Sequence, residues 1–184
     1  MGERALRVVV GLLACLSVTA ALAEDARPRR YPMPGHGSLG LTLPVSWRDE
    51  LRQPPSRLPP TIVFKPATGA PFQVFVTPIW PPRDAPPSTA EDLRRSVERA
   101  AEQAKARAVE QTLEVKELRG SSGSGYYFSA TDRAPGPGEY KYLTQGMIRV
   151  GGLVVTFTIL TNDGQASVAA DALAMVGGAL HGSD

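Results

Sequence analysis

The chain has 184 residues, of which 20 are lysine or arginine and 18 are aspartate or glutamate, giving a formal net charge of +2. A charge this close to neutral gives no basic surface for the phosphate backbone, so no nucleic-acid partner is expected. No segment after residue 23 has eighteen uninterrupted apolar residues, so no membrane-spanning helix is expected there.

Residues 1–23 have the pattern of a secretory signal peptide. Arg4 and Arg7 form a positive first region, an apolar stretch follows, and a small-x-small motif ends the segment. Cleavage is therefore predicted between Ala23 and Glu24, and the mature protein is predicted to be periplasmic or secreted.

The single cysteine, Cys15, lies inside this segment. Leu12-Leu13-Ala14-Cys15 resembles a bacterial lipobox, which would attach a lipid to Cys15 and anchor the protein to the envelope. Against this alternative, the bulky Leu13 occupies a position where a small residue is usual, and the apolar stretch continues past the cysteine. Contact with a membrane is expected only if Cys15 is lipidated, and mass spectrometry of the mature N-terminus distinguishes the two cases.

Residues 24–37 are rich in proline and glycine and poor in apolar side chains. This composition is typical of a disordered connection, and we interpret the segment as a flexible linker. The following residues, 38–181, are long enough for one domain with a single core.

Three short strands are predicted at the start of this domain, because apolar and polar residues alternate there. Trp47 follows the first of them and is expected at the edge of the core. The predicted strands are 39–43, 61–65 and 72–77.

A helix is predicted over residues 89–108, because the apolar spacing changes to a helical period. Ser88 or Thr89 can cap it, and Ser88 together with Glu91 fits a capping box. Its charged face is interpreted as solvated surface, with a partner-docking face as the alternative. The apolar stripe consists of Leu93, Val97, Ala100, Ala101, Ala104 and Ala108.

The clearest local signal is a hairpin, in which strands 140–150 and 153–161 flank Gly151-Gly152. A Gly-Gly loop permits the positive φ angles of a tight turn. That turn fixes the register of the two strands, in which the numbers of paired residues add up to 303. This register places Ile148, Val155 and Phe157 on the core face. Two more strands, 113–118 and 126–131, are predicted before the hairpin, and a helix over 165–180 after it.

The predicted order is β-β-β-α-β-β-β-β-α, which favours an α+β domain whose antiparallel sheet of about six to seven strands is covered by two helices. Over residues 38–180, this order resembles the PsbP/Mog1-like family of α/β/α sandwich domains. The resemblance includes the opening segment Leu41-Thr42-Leu43-Pro44-Val45-Ser46-Trp47 and a later strand at 123–128 with the pattern G-x-x-x-Y/F. It implies a small exported protein that binds partners without catalysis, and it supplies no catalytic residue.

No motif predicts a catalytic residue, a metal site or a cofactor. His36 and His181 lie in segments expected to be mobile, and the mature chain has no cysteine for a zinc site. The chain has no nucleophile-elbow, phosphate-binding or calcium-loop motif. The remaining enzymatic hypothesis is a hydrolase that uses the loop carboxylates of Asp49, Glu50 and Asp84.

Aromatic residues supply the candidate ligand-binding site. If strands 123–131 and 140–150 pair, their tyrosines are expected to gather at one end of the sheet and line a recess for a ligand or peptide; ordinary sheet packing is the alternative. Overall, we expect an exported non-catalytic domain that binds a protein partner or a small ligand. A lipid-anchored structural envelope protein and the hydrolase are the alternatives. The candidate residues are Trp80, Tyr126, Tyr127, Tyr140 and Tyr142.

Overall fold

The computed structural model describes residues 26–55, 58–81 and 86–182. The predicted signal peptide, its cleavage site at Ala23 and Glu24, and the candidate lipidation site Cys15 lie outside the described residues. Within those ranges, no helix is long and apolar enough to cross a bilayer.

The described part of the chain forms ten strands and two helices. In chain order they are β1 (Ala26–Pro32), β2 (Ser38–Pro44), β3 (Trp47–Arg52), β4 (Thr61–Pro66), β5 (Gln73–Ile79), α1 (Ala90–Ala104), β6 (Lys116–Arg119), β7 (Ser124–Thr131), β8 (Tyr142–Val150), β9 (Leu153–Thr161), α2 (Ala166–Gly177) and β10 (Leu180–Gly182).

These strands form two antiparallel sheets. The large sheet has seven strands in the order β3-β4-β5-β9-β8-β7-β6, and the small sheet has three in the order β1-β2-β10. The predicted fold class, an α+β sandwich with an antiparallel sheet of about six to seven strands and two helices, is confirmed. One difference is that β2, predicted as the first strand of a single sheet, lies in the small sheet.

The large sheet is covered on both faces. Helix α1 packs against β7 and β8 on one face, while α2 and the small sheet cover the other. The main core lies on the second face, between strands β4, β5, β8 and β9 and the small sheet. Its largest fully buried side chains include Phe64, Phe157, Leu39, Leu43, Ile62, Ile148, Leu153 and Ile159.

The interpretation of residues 24–37 as a flexible linker is wrong, because residues 26–32 form strand β1. This strand pairs with β2 along its whole length, from Ala26 opposite Pro44 to Pro32 opposite Ser38. The proline-rich composition is compatible with a strand here because β1 is an edge strand, where a missing backbone N–H is tolerated.

The predicted register of the hairpin is confirmed, although its first strand begins at Tyr142 rather than at residue 140. The nine pairs of β8 and β9, from Tyr142 opposite Thr161 to Val150 opposite Leu153, have the predicted register. Gly151 has a φ of 58°, as the tight turn requires. Ile148, Val155 and Phe157 are at most 1% exposed, so register and burial agree.

Helix α1 begins with a capping box, as predicted. The box lies one residue later than the predicted pair, Ser88 and Glu91. Thr89 is the N-cap, its hydroxyl accepts a hydrogen bond from the Asp92 backbone N–H (3.1 Å), and the Asp92 carboxylate accepts from the Thr89 backbone (3.0 Å). The predicted frame is displaced because Ala90 is the first helical residue, which makes Asp92 the third.

Helix α2 ends earlier than predicted. It stops at Gly177, followed by Gly178, because two consecutive glycines have low helix propensity. Leu180, the last residue of the predicted helix, instead begins β10 and is 58% exposed.

The capping box predicts an acid-sensitive start of α1. Hydrogen bonds from the Thr89 hydroxyl and backbone, together with the Arg95 guanidinium, lower the pKa of Asp92 from 3.8 to about 2. Because folding lowers this pKa, the carboxylate stabilises the first turn above pH 3.8, and that contribution is lost as the pH falls through about 2. Replacing Thr89 with alanine is expected to raise the pKa of Asp92 part of the way back to 3.8, as measured by a carboxyl ¹³C NMR titration. Thr89→Ser, which keeps the hydroxyl, is the control; an unchanged pKa in the alanine variant would contradict the assignment.

Candidate ligand-binding site

A cavity of about 590 Å³ lies between the C-terminal end of α1 and the face of the large sheet that this helix partly covers. We call it the α1 cavity. Its floor follows one row of the sheet, in which Leu160 of β9 pairs with Leu143 of β8, and Leu143 pairs with Ala130 of β7. Residues paired in this way project from the same face of a sheet, so the floor is an apolar strip. The volume is within the range of small-molecule sites, about 300–1,000 Å³.

The cavity exists because the side chains above this strip are small. Ala104 at the end of α1 and Ala108 beyond it form the adjacent wall. A methyl group does not fill the space above two leucines, and both Leu143 and Leu160 are only half-buried. The alanine-rich stripe that the sequence showed therefore leaves a hollow at this point.

The rim of the cavity is charged. Asp132 Oδ2 and Glu139 Oε2 lie 2.7 Å and 2.9 Å from the same atom, Nη2 of Arg107. A hydrogen bond from the backbone N–H of Gly136, and after it the Arg107 guanidinium, hold the pKa of Glu139 below its ordinary value. Tyr140 also lines the rim, and partial burial raises the pKa of its hydroxyl.

Backbone hydrogen bonds fix the rim in place. The Val109 N–H donates to the Thr131 carbonyl, and the Arg133 N–H donates to the Arg107 carbonyl, both at 2.8 Å. The Arg133 guanidinium also donates to the Ala108 carbonyl (2.8 Å). The segment after α1 is therefore tied to the end of β7.

The tyrosines of β7 do not share a recess. Tyr126 lies on the α1 face, opposite Met147, whereas Tyr127 contacts the main core on the other face, opposite Gly146. Adjacent residues of a strand point to opposite faces, which separates these two side chains.

The other candidates are also apart. Tyr142 pairs with Thr131 at the far end of β7, and its hydroxyl donates to Asp163 at 2.7 Å. Trp80 stacks on the ring of His36, with ring centroids 4.4 Å apart. Of the five predicted residues, Tyr140 lines the α1 cavity; the expected single aromatic recess is not formed, and a ligand-binding role for the other four stays a prediction.

The two histidines, expected in mobile segments, meet near the hairpin turn. The Gly152 N–H donates to Nδ1 of His181 (3.2 Å), and Nε2 of the same ring donates to the His36 carbonyl (2.9 Å). Nδ1 of His181 thus joins β10 to the β8–β9 turn, and Nε2 joins it to the turn that precedes β2.

The carboxylates of the hydrolase hypothesis are not placed as a pair. Asp49 accepts a hydrogen bond from the Tyr31 hydroxyl (2.9 Å) and lies 3.3 Å from the Arg29 guanidinium. Burial, and then the bond to Asp49, raise the pKa of Tyr31. Glu50, the next residue of β3, instead pairs with Arg52 at 2.9 Å. Asp84 lies outside the described residues.

In the ranges that the structure covers, no group of three or more His, Cys, Asp or Glu side chains could hold a metal ion.

Sequence reasoning missed most of the cavity. Arg107 is 25 and 32 residues from its partners Asp132 and Glu139, and no motif links the three. One signal was present in the sequence. The predicted hairpin register pairs Leu143 with Leu160 on the face opposite the main core, and two apolar side chains there need a second element, or a ligand, to bury them.

Solved structures with a similar fold complete the description. Cyanobacterial PsbP (CyanoP) from Synechocystis sp. PCC 6803 superposes with a TM-score of 0.53 and 13% sequence identity, covering 89% of this chain and 98% of that one. LpqN, involved in cell envelope biogenesis of Mycobacterium tuberculosis, gives a TM-score of 0.48 and 16% identity, covering 85% and 90% of the two chains. No protein-family model and no curated protein matches the sequence. On the CyanoP superposition and the element order above, this chain has a PsbP-like fold.

Proposed function

We propose that the protein is exported and acts outside the cytoplasm as a non-catalytic domain that binds a small molecule in the α1 cavity. The observation that carries the proposal is the cavity itself, which combines an apolar floor with a polar rim and is held open by backbone hydrogen bonds. Concave sites of this size and composition are typical of small-molecule binding. The signal-peptide pattern of residues 1–23 supports export.

A small ligand is favoured over a protein partner because the apolar surface at this site is concave. Leu143 and Leu160 lie at the bottom of the hollow, below Ala104 and the rim. A flat protein surface would not reach them, whereas a narrow apolar group would.

The hydrolase alternative has less support. A catalytic pair of carboxylates needs both groups directed at one substrate, but Asp49 and Glu50 project from opposite faces of β3 into separate ion pairs.

Filling the cavity tests the proposed function. Ala104→Trp is expected to weaken the binding of small molecules by tenfold or more, because an indole would occupy the space above Leu143 and Leu160. Binding would be measured by screening a fragment library against the folded domain and following the methyl NMR signals of the two leucines. The matched control is Ala170→Trp, at an exposed alanine of α2, which is expected to bind as the wild type does. The proposal fails if no fragment shifts the leucine methyl signals, or if Ala104→Trp, with an unchanged thermal transition, still binds.

A further inference from the structure

The charges at the rim of the α1 cavity point to an amphipathic cation as its ligand. Such a molecule has an apolar tail, which would contact the floor, and an ammonium or guanidinium head, which would lie at the rim. This inference rests on the proposed function and adds the chemical class of the ligand.

The first observation is the unequal charge of the rim. Two carboxylates, Asp132 and Glu139, share a single guanidinium nitrogen of Arg107. Two further charged groups bond to residues of the wall: Arg133, which donates to a backbone carbonyl, and Glu110, which accepts from the Thr131 backbone and hydroxyl. With or without this second pair, the carboxylates exceed the guanidiniums by one. A cation entering the rim therefore meets a net negative charge.

The second observation is the end of helix α1 at the cavity wall. The C-terminal end of a helix carries a partial negative charge from its aligned peptide dipoles, and the last turn of α1 contains no basic residue. Lys105, the residue that follows, lies 3.7 Å from Glu102. Gln103 and Ala104 of this last turn line the cavity, so the helix adds to the negative potential there.

The third observation is the aromatic side chain at the rim, beside the charged groups of Arg107, Asp132 and Glu139. Tyr140 at the rim is aromatic and half-buried, and aromatic rings are favourable neighbours for ammonium and guanidinium groups. An anionic head bound to the other guanidinium nitrogens of Arg107, Nε and Nη1, would lie near the Asp132 and Glu139 carboxylates, which is electrostatically unfavourable.

This preference cannot be ascribed to the charge of the whole protein. The complete chain has a formal net charge of +2, which by itself would favour anions. A preference for a cation must therefore come from local groups, and it can be removed locally.

The test compares three probes with the same ten-carbon tail: decyltrimethylammonium, decanoate and decanol, each below the concentration at which it aggregates. Isothermal titration calorimetry at low salt is expected to show decyltrimethylammonium binding about two- to fivefold more tightly than decanoate, the scale of one partly exposed charge pair. The preference is expected to shrink as salt is added. The methyl NMR signals of Leu143 and Leu160 would show that each probe occupies the cavity.

Matched variants locate the preference at the rim. Glu139→Gln and Asp132→Asn are each expected to reduce the ratio of the decyltrimethylammonium affinity to the decanoate affinity severalfold. Glu50→Gln is the control, because Glu50 is as exposed as Glu139 (54% against 52%) but lies on the edge strand β3.

The outcomes separate the two proposals. If decanoate or decanol binds in the cavity as tightly as the cation, the inference is wrong and the proposed binding function stands. If the cation binds more tightly but Glu139→Gln and Asp132→Asn leave the ratio unchanged, the inference is also wrong. If no probe binds and no fragment does, both proposals fail.

Discussion

Replacing Phe157 with alanine is expected to lower the free energy of unfolding by about 3–5 kcal/mol, as truncating a buried phenylalanine usually does. Phe157 is 1% exposed and lies in the middle of β9, between Val76 of β5 and Gly146 of β8. Its ring packs in the main core, so its removal would leave a void that the rigid pairing of three strands cannot close. Since the total stability of a domain is typically about 5–15 kcal/mol, this change would remove a large fraction of it.

Urea denaturation followed by tryptophan fluorescence would measure this loss, and Phe75→Ala is its control. Phe75 has the same side chain on the neighbouring strand β5, but it is only half-buried and lies on the opposite face. We expect Phe75→Ala to lower the free energy of unfolding much less than Phe157→Ala does. Equal losses in the two variants would show that the core is not on the face we describe.

Replacing Gly146 with alanine is expected to cost about 3 kcal/mol, the upper end of the usual range for overpacking. A Cβ atom at this position would lie 2.6 Å from Cζ of Phe157 and 2.7 Å from Cβ of Tyr127, and closer still to the Tyr126 carbonyl oxygen. The phenyl ring can move away, but the carbonyl is held in the pairing of β7 with β8. The strands must therefore separate locally to admit even a methyl group.

Two further variants test this explanation by the same urea denaturation. Gly152→Ala, in the exposed turn of the same hairpin, is the control, because its Cβ would meet nothing nearer than an ordinary 3.5 Å contact with His181. Combining Gly146→Ala with Phe157→Leu separates the two clashes. If the ring were the main obstacle, the double variant would recover most of the loss from Gly146→Ala; we expect it to recover little, because the backbone clash remains.

The parts of the fold that the sequence predicted best are those with local causes. The hairpin of β8 and β9 is specified by a glycine pair and by alternating side chains on both sides of it, so turn and register agree within 20 residues. Helix α1 has its cap and apolar stripe within one segment. Even there the boundaries shifted by a few residues, since Ser88 and Thr89 are equally good caps in sequence alone.

The strands that prediction missed are edge strands. β1, β3 and β10 lie at sheet edges, where one side of the backbone is unpaired and charged residues or prolines are tolerated. The charged sequence of β3, Trp-Arg-Asp-Glu-Leu-Arg, therefore carries no alternation signal. These strands form because a neighbour is available, which is information from tertiary structure.

The candidate site was not predictable for a similar reason. Its floor comes from a sheet row, its wall from the end of a helix, and its rim from Arg107 with Asp132 and Glu139. Only Tyr140 of the five aromatic residues belongs to it, since the β7–β8 register places the other tyrosines on two faces and at two ends. The spacing of aromatic residues in sequence said nothing about that register.

The strand order of the small sheet determines when the protein can complete its folding. Strand β2 lies between β1 and β10, so its two partners are separated by almost the entire described chain. A cover assembled from residues 26–32 and 180–182 cannot close until synthesis has passed residue 182, and bringing such distant segments together is slow. A nascent polypeptide would therefore remain incompletely folded until residue 182 has been synthesised, which would suit the proposed export, since a translocation channel takes an extended chain.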